Sequence, residues 1–83
     1  MTINEFVNNS PFQIPDHIIV YGHTKNRVCE ETHKVYDSRH PKCQDGMTDL
    51  VKNATLSGIC TSHWYPDALV LHFVTEDILN YYL

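Results

Sequence analysis

The sequence predicts a small α+β domain, with a mostly antiparallel sheet of about four strands and two or three short helices on one face. The chain has 83 residues, which is enough for one hydrophobic core, so we expect residues 1–83 to form a single compact domain. Apolar residues make up 42% and charged residues 19%, a balance that favours a folded chain over a disordered one. Strand and helix patterns follow one another without strict β-α-β alternation, which indicates the α+β class.

The first third of the chain predicts a helix and then a central strand. Thr2-Ile3-Asn4-Glu5 matches a capping box, in which the Thr hydroxyl and the Glu carboxylate satisfy free amides, so a short helix is expected over residues 3–9. His17-Ile18-Ile19-Val20-Tyr21 is rich in β-branched and aromatic residues and is followed by Gly22. We therefore expect a strand that ends at the glycine.

The polar middle, residues 23–46, predicts a hairpin and a loop. Weak strand character at residues 27–29 and 34–36 places the hairpin turn at residues 30–33. A polar stretch of this kind is typical of a functional loop.

The last part of the chain predicts a short helix, two strands and a terminal helix. Thr48 precedes Asp49-Leu50-Val51-Lys52 and is suited to cap a helix. An extended pattern returns over residues 55–63, and residues 68–74 form a strand that is apolar on both faces apart from His72. Residues 78–83 are expected to form a terminal helical turn or two. The predicted core comprises Phe6, Ile18, Val20, Leu50, Ile59, Leu69, Leu71, Phe73 and Ile78.

Seven of the nine cysteine and histidine residues lie between His23 and His63, which raises the question of a metal site. Zinc prefers thiolate and imidazole ligands, and two local pairs supply them. The candidate ligands of one structural zinc ion are Cys29, His33, Cys60 and His63, with His40 and Cys43 as an alternative second pair.

The alternative to a metal site is that these residues are ordinary structural groups. Each pair spacing is common, and no sharp Cys-x2-Cys signature is present. Cysteines then act as small buried apolar residues, and histidines lie at the surface or are satisfied in the core. The sequence therefore leaves two alternatives open, no cofactor or one structural zinc.

A second pattern resembles a compressed form of the HNH nuclease motif. It consists of Asp16-His17-Ile18-Ile19, then Asn26, then Cys29-x3-His33-Lys34. In that family a histidine on a strand is the general base, a later asparagine orients it, and a histidine on a helix binds the catalytic metal. The resemblance implies these roles for His17, Asn26 and His33 respectively. It covers residues 16–34, the interval from His17 to Asn26 is short for the family's loop, and Val20 stands where the family has a proline.

Charge and composition favour a protein partner over a nucleic acid. The net charge is −4, and the basic residues of the middle segment are nearly balanced by acidic ones, which disfavours a surface that follows phosphates. Aromatic residues dominate the energetics of protein interfaces, and several lie near the ends of predicted elements. The candidate partner-binding residues are Tyr36, Trp64, Tyr65, Tyr81 and Tyr82.

The function that these observations predict is a non-enzymatic protein-binding module, an inhibitor or modulator of a larger enzyme or complex. Its small size and aromatic content resemble in general style the accessory proteins of phages and mobile elements. The alternative is a zinc-stabilised nucleic-acid-binding or HNH-nuclease-like domain. Three cysteines cannot close a disulfide framework, and no apolar run is long enough for a membrane span, so we expect a cytoplasmic protein, in the host cytoplasm if it is phage-encoded. The sequence leaves the oligomeric state open, a homodimer included.

Overall fold

A computed structural model of the chain describes residues 1–9, 15–25, 30–43, 45–61 and 67–76. It confirms a small α+β fold with a four-stranded mixed sheet and two helices. In chain order, the elements are α1 (Ile3–Asn9), β1 (Ile18–Lys25), β2 (Glu30–Asp37), a 3₁₀ turn (Pro41–Cys43), α2 (Asp49–Asn53), β3 (Leu56–Thr61) and β4 (Leu69–Val74). Within the described ranges, no helix is long and apolar enough to cross a membrane.

The strands are arranged in the order β2-β1-β4-β3. β1 pairs antiparallel with β2 and parallel with β4, and β3 pairs antiparallel with β4. Two of the three pairings are thus antiparallel, and the two strands in the middle of the sheet, β1 and β4, carry most of the buried strand residues. β2 and β3 form its two edges.

Both helices begin with caps that the sequence predicts. The Thr2 amide donates to Glu5 Oε1 and the Glu5 amide donates to Thr2 Oγ1, each over 3.1 Å, which is the reciprocal capping box. Hydrogen bonds from Thr2 also lower the pKa of the Glu5 carboxyl. At α2 the Thr48 hydroxyl accepts from the Val51 amide over 3.4 Å. Local capping therefore fixes where each short helix starts.

The main core lies between the two helices and one face of the sheet. The helices contribute Ile3, Val51 and Ala54, and the strands contribute Ile18, Val20, Val35, Leu71 and Phe73. Phe6 and Leu69, which the sequence also assigns to the core, are partly buried and pack against it. The Ile3 amide donates to the Ala54 carbonyl over 2.9 Å, which ties the start of α1 to the end of α2.

Two predicted core residues are wrong, Leu50 and Ile59. Leu50 is 51% exposed because α2 turns Val51, its neighbour, toward the sheet. Ile59 is 50% exposed because β3 is an edge strand. Ile78, another predicted core residue, lies outside the described residues, as does the predicted terminal helix.

The predicted hairpin turn at residues 30–33 is also wrong. Those residues belong to β2, and β1 continues through Gly22 to Lys25. Gly22 pairs with His33 on one side and Phe73 on the other, so the ladder holds it in the strand. Charged residues suit an edge strand, where side chains reach water, and the polar character of residues 30–33 therefore did not indicate a turn. Residues 27–29, the other predicted arm, lie outside the described residues.

The second face of the sheet carries a smaller apolar cluster and several hydrogen-bonded polar side chains. Ile19, Ala68 and Val70 are buried there, with Tyr21 packed against them. Because side chains alternate along a strand, His23 lies on the same face as Tyr21, and His72 on the same face as Val70. We call this face the histidine face.

Candidate functional site

One side chain from each of the four strands joins a hydrogen-bonded chain that crosses the histidine face. Its members, in spatial order from β2 to β3, are Thr32, His23, His72 and Cys60. The order follows the sheet order, so each bond spans one pair of neighbouring strands. We call these four side chains the cross-sheet relay.

The β3 end of the relay is a thiol beside an imidazole. Cys60 Sγ lies 3.0 Å from His72 Nε2, and Cys60 is an exposed free cysteine. Cys60 pairs with Val70 and Gly58 pairs with His72 across the β3–β4 ladder, so the contact is diagonal on one face. The sulfur is therefore both held by a nitrogen base and open to solvent.

The imidazole is oriented from its other side. His72 Nδ1 lies 2.7 Å from His23 Nε2, and Thr32 Oγ1 lies 3.0 Å from His23 Nδ1. A neutral imidazole has one donor and one acceptor nitrogen, so the bonds run in one direction along the chain. If the Cys60 thiol donates to His72 Nε2, then His72 Nδ1–H donates to His23 and His23 Nδ1–H donates to Thr32.

The ring of His72 is held by packing as well as by hydrogen bonds. Tyr21 stacks on it with ring centroids 5.8 Å apart and an interplanar angle of 18°, and the His23 ring is tilted against it at 4.9 Å. Burial lowers the pKa of His72, and the nearby His23 lowers it further. His72 is thus a fixed imidazole that favours its neutral form, as a proton acceptor requires.

Gly58 lies beside His72 across the β3–β4 ladder. A Cβ built on Gly58 would lie 3.8 Å from His72 Cβ and 4.0 Å from His72 Cδ2, in ordinary van der Waals contact. The backbone of β3 therefore approaches the His72 side chain closely at this position.

A second polar cluster closes the other end of β1. His17 Nε2 lies 2.8 Å from Asp37 Oδ1, and the two side chains are 4% and 11% exposed. Asp37 also accepts from the Arg39 amide over 3.0 Å and lies 3.4 Å from Lys34 Nζ. Ser38 Oγ accepts a hydrogen bond from the Ile18 amide over 2.9 Å, which also links the turn after β2 to the start of β1.

The hydrogen bonds decide the charge state of Asp37. Burial alone would raise its pKa, but the Arg39 amide and His17 lower it, and the net pKa lies below the usual aspartate range. Asp37 is therefore an ionised carboxylate that holds the turn after β2 against the start of β1. This arrangement is structural, since His17 is buried.

The structure separates the two described members of the predicted zinc set. His33 is in β2 and Cys60 is in β3, at opposite edges of the sheet. Three interstrand spacings of about 4.8 Å lie between those strands, far beyond the reach of one ion. His33 and Cys60 are therefore not brought together, and Cys29 and His63 lie outside the described residues.

The alternative pair, His40 and Cys43, lies in a single turn. His40 Nδ1 accepts from the Lys42 amide over 3.1 Å, and the Cys43 amide donates to the His40 carbonyl over 2.9 Å. Cys43 is buried. Among the described residues, no group of three or more His, Cys, Asp or Glu side chains is arranged to hold a metal ion.

Of the predicted partner-binding aromatics, the described one is Tyr36, which packs against the main core. Burial raises the pKa of Tyr36, and the neighbouring Cys43 and Asp37 raise it further. The other four lie outside the described residues, namely Trp64, Tyr65, Tyr81 and Tyr82.

The two described HNH-like histidines do not form the arrangement that the resemblance implies. His17 is buried against Asp37, and His33 lies in a strand where that family has a helix. Asn26 lies outside the described residues.

Sequence reasoning missed His23 and His72 as site residues. It paired Cys60 with the nearby His63, whereas the fold brings His72 to Cys60 from the neighbouring strand. A usable signal was present, because His72 interrupts the otherwise apolar run Leu69–Val74 and a polar group in such a strand needs a partner.

No protein-family model matches this chain, and neither a curated protein nor a solved structure matches it.

Proposed function

We propose that this chain is a protein-binding module that accepts an extended segment of a partner protein along the open edge of β3. Strand addition of this kind uses main-chain hydrogen bonds for affinity and alternate side chains for specificity. Through such docking the chain would inhibit or modulate a larger enzyme or complex. The observation that carries the proposal is that β3 is an uncharged edge strand with an exposed isoleucine, Ile59.

Edge strands are normally protected against pairing with other chains. Charged residues, prolines, short length and bulges are the common devices. β3 has the sequence LSGICT, with no charge and no proline, and its one irregularity lies between Leu56 and Gly58. The part that follows the bulge is a regular strand with an unprotected outer side.

Among the described residues, those at the N-terminus cover the beginning of this edge. Thr2 forms an isolated bridge with Thr55, and the Leu56 amide donates to the Met1 carbonyl over 2.9 Å. Beyond Leu56, the described residues contain no strand that pairs with the outer side of β3. With respect to the described part of the chain, residues 57–61 thus form an unpaired outer edge about 17 Å long at roughly 3.4 Å per residue.

The side chains along this edge define the chemistry of the partner. Met1 is 71% exposed beside Leu56, and Ile59 follows along the strand. An uncharged edge with apolar side chains fits an uncharged, β-branched segment, because charged side chains would lose hydration without gaining a counterion. A second copy fits less well, since each copy has a net charge of −4 and β3 has no charge to offset the repulsion.

The test is selection of binding peptides from a displayed library of random peptides. We expect wild-type protein to enrich peptides with uncharged, alternating β-branched residues. Ile59→Lys places a charge on the edge and is expected to abolish their binding, measured by fluorescence anisotropy. Leu50→Lys is the matched control, because Leu50 is equally exposed but lies on α2, and it should bind as wild type does.

Three outcomes would contradict the proposal. The first is that no peptide family is enriched, and the second is that Ile59→Lys binds the selected peptides as tightly as wild type. The third is a wild-type dimer in light scattering that Ile59→Lys converts to a monomer, which would assign the edge to a second copy.

A further inference from the structure

We propose that Cys60 is a reactive thiol for disulfide exchange, with His72 as its general base and His23 as the residue that positions His72. The site takes small disulfides and forms a mixed disulfide at Cys60. This chemistry is separate from strand docking, because Cys60 and Ile59 point to opposite faces of β3.

The geometry meets the requirements of an activated nucleophile. Such a site needs a nucleophile within hydrogen-bond reach of a base, and a third group that orients the base. Cys60 Sγ is 3.0 Å from His72 Nε2, and His72 Nδ1 is 2.7 Å from His23 Nε2. Thr32 then fixes His23 through its Nδ1 at 3.0 Å.

The direction of the hydrogen bonds sets the tautomer that the base needs. When His23 Nε2 accepts from His72 Nδ1–H, the lone pair of His72 Nε2 faces the thiol. Without that acceptor, the His72 proton is free to occupy either nitrogen. His23 therefore acts through His72, as a positioning residue.

The reaction balances with the disulfide as its only co-reactant. His72 Nε2 takes the thiol proton as Cys60 Sγ attacks one sulfur of the disulfide. A new S–S bond forms at Cys60, the original S–S bond breaks, and the departing sulfur takes the proton from His72. Cys60 is oxidised and the departing half of the disulfide is reduced to a thiol.

The arrangement favours this chemistry over metal binding and over acyl transfer. The thiol and the two imidazoles are joined in series through both nitrogens of His72, whereas metal ligands converge on one point. Acyl transfer also requires hydrogen-bond donors that stabilise an oxyanion. The one relay side chain that contacts Cys60 is the His72 imidazole, which is already assigned as the base. Disulfide exchange needs the thiol, the base and access for the disulfide, and Cys60 is exposed.

The test is the rate at which glutathione disulfide modifies Cys60, measured by peptide mass spectrometry of the whole chain across a range of pH. Mass spectrometry of the Cys60 peptide separates this reaction from that of the other cysteines. At pH 7 we expect His72→Phe to lower the rate by about 100-fold, the lower end of what a positioned base contributes. His23→Leu should lower it by roughly 10-fold and His23→Gln, which keeps an acceptor, should recover most of the loss. His40→Phe is the matched control and should react as wild type does.

The pH profile distinguishes a base from a merely structural histidine. Among the described side chains, the titratable groups that face His72 are Tyr21 and His23 from β1 and Cys60 from β3, while Lys34 on β2 contacts Asp37. The wild-type rate should rise with pH through an ionisation below the usual histidine range, because burial and His23 lower the pKa of His72. In His72→Phe this ionisation should disappear, leaving a rate that rises with hydroxide.

Nitrogen NMR of the wild-type protein supplies a readout that needs no variant. The His72 ring is expected to be the Nδ1–H tautomer, with Nε2 unprotonated at neutral pH. An Nε2–H tautomer would overturn the proposal, and so would a folded His72→Phe with the wild-type rate and profile. Strand docking is measured by peptide anisotropy and the thiol chemistry by the modification rate of Cys60, so a failure of one is distinguishable from a failure of the other.

Discussion

The two edges of the sheet are built in opposite ways. β2 carries four charged residues in eight, and its last residue, Asp37, is buried against His17. β3 carries no charge in six residues and exposes Ile59 and Cys60. One edge carries charged residues and a buried contact between His17 and Asp37, and the other presents an isoleucine and a thiol to solvent.

This difference indicates which edge of the sheet can accept an added strand without loss of stability. Charges on an edge strand discourage added strands, so β2 is specialised for stability. Among the described residues, β4 and the two N-terminal residues pair with β3, and its remaining outer side is the edge where we propose that a partner docks. Substitutions that break the contacts of β2 are therefore expected to lower stability strongly, and substitutions in β3 to lower it little.

The largest expected effect is that of Asp37→Ala on the closed edge. This change leaves His17 buried without its carboxylate and removes the acceptor of the Arg39 amide. We expect a loss of about 3 kcal/mol in the free energy of unfolding, measured by urea denaturation. Lys34→Ala is the control and should cost under about 1 kcal/mol, since Lys34 is one-third exposed. An Asp37→Ala variant as stable as wild type would remove the argument that β2 is closed by this pair.

A smaller effect is expected at the capped start of the open edge. Thr2→Ala removes the hydroxyl that accepts the Glu5 amide, while the backbone bridge to Thr55 can persist. The expected cost is about 1 kcal/mol of unfolding free energy. Thermal denaturation checks it, with Ser57→Ala as a comparison that removes a side-chain bond to the His72 carbonyl. A loss above about 3 kcal/mol would mean that the N-terminus holds β3 more firmly than the cap alone explains.

Acid should weaken the histidine face by a modest amount. The pKa of His72 is lowered in the fold by burial and by His23, so the unfolded chain binds more protons just below the usual histidine value of about 6.5. Stability is therefore complete above that value and falls as the pH drops toward the folded pKa. Urea titrations between about pH 7 and 5 should show this slope in wild type and a shallower one in His72→Phe. Equal slopes would show that His72 is not the group responsible.

The smallest stability effect is expected for Ile59→Lys. Ile59 is half-exposed, so the unfolding free energy should change by no more than about 0.5 kcal/mol. The same change should slow aggregation in moderate urea, because a lysine on an uncharged edge opposes strand pairing between chains. Light scattering measures this, with Leu50→Lys as the control that leaves the edge uncharged. Equal aggregation of both variants and wild type would show that β3 is not the exposed edge.

Local signals predicted much of the fold. The capping box at Thr2 and Glu5, the cap at Thr48 and the two central strands are all present, because each depends on residues close in sequence. The length of β1 and the start of β2 were missed. Gly22 stays in its strand through pairing on both sides, which local propensity does not contain.

Most residues of the candidate site could not be predicted from the sequence. Cys60 was singled out, but its partner His72 is twelve residues away and meets it across the β3–β4 ladder. His23 joins the relay from 49 residues away because β1 and β4 are parallel neighbours. Spacing rules favour pairs within a few residues, so they pointed to His63.

The most direct test of the contrast between the two edges is an NMR titration of labelled protein with a peptide selected on the wild type. We expect the largest amide shifts, and new protection from hydrogen exchange, within residues 57–61 of β3. Shifts concentrated in Glu30–Asp37 of β2 would contradict the account, because they would show that the charged edge accepts the added strand.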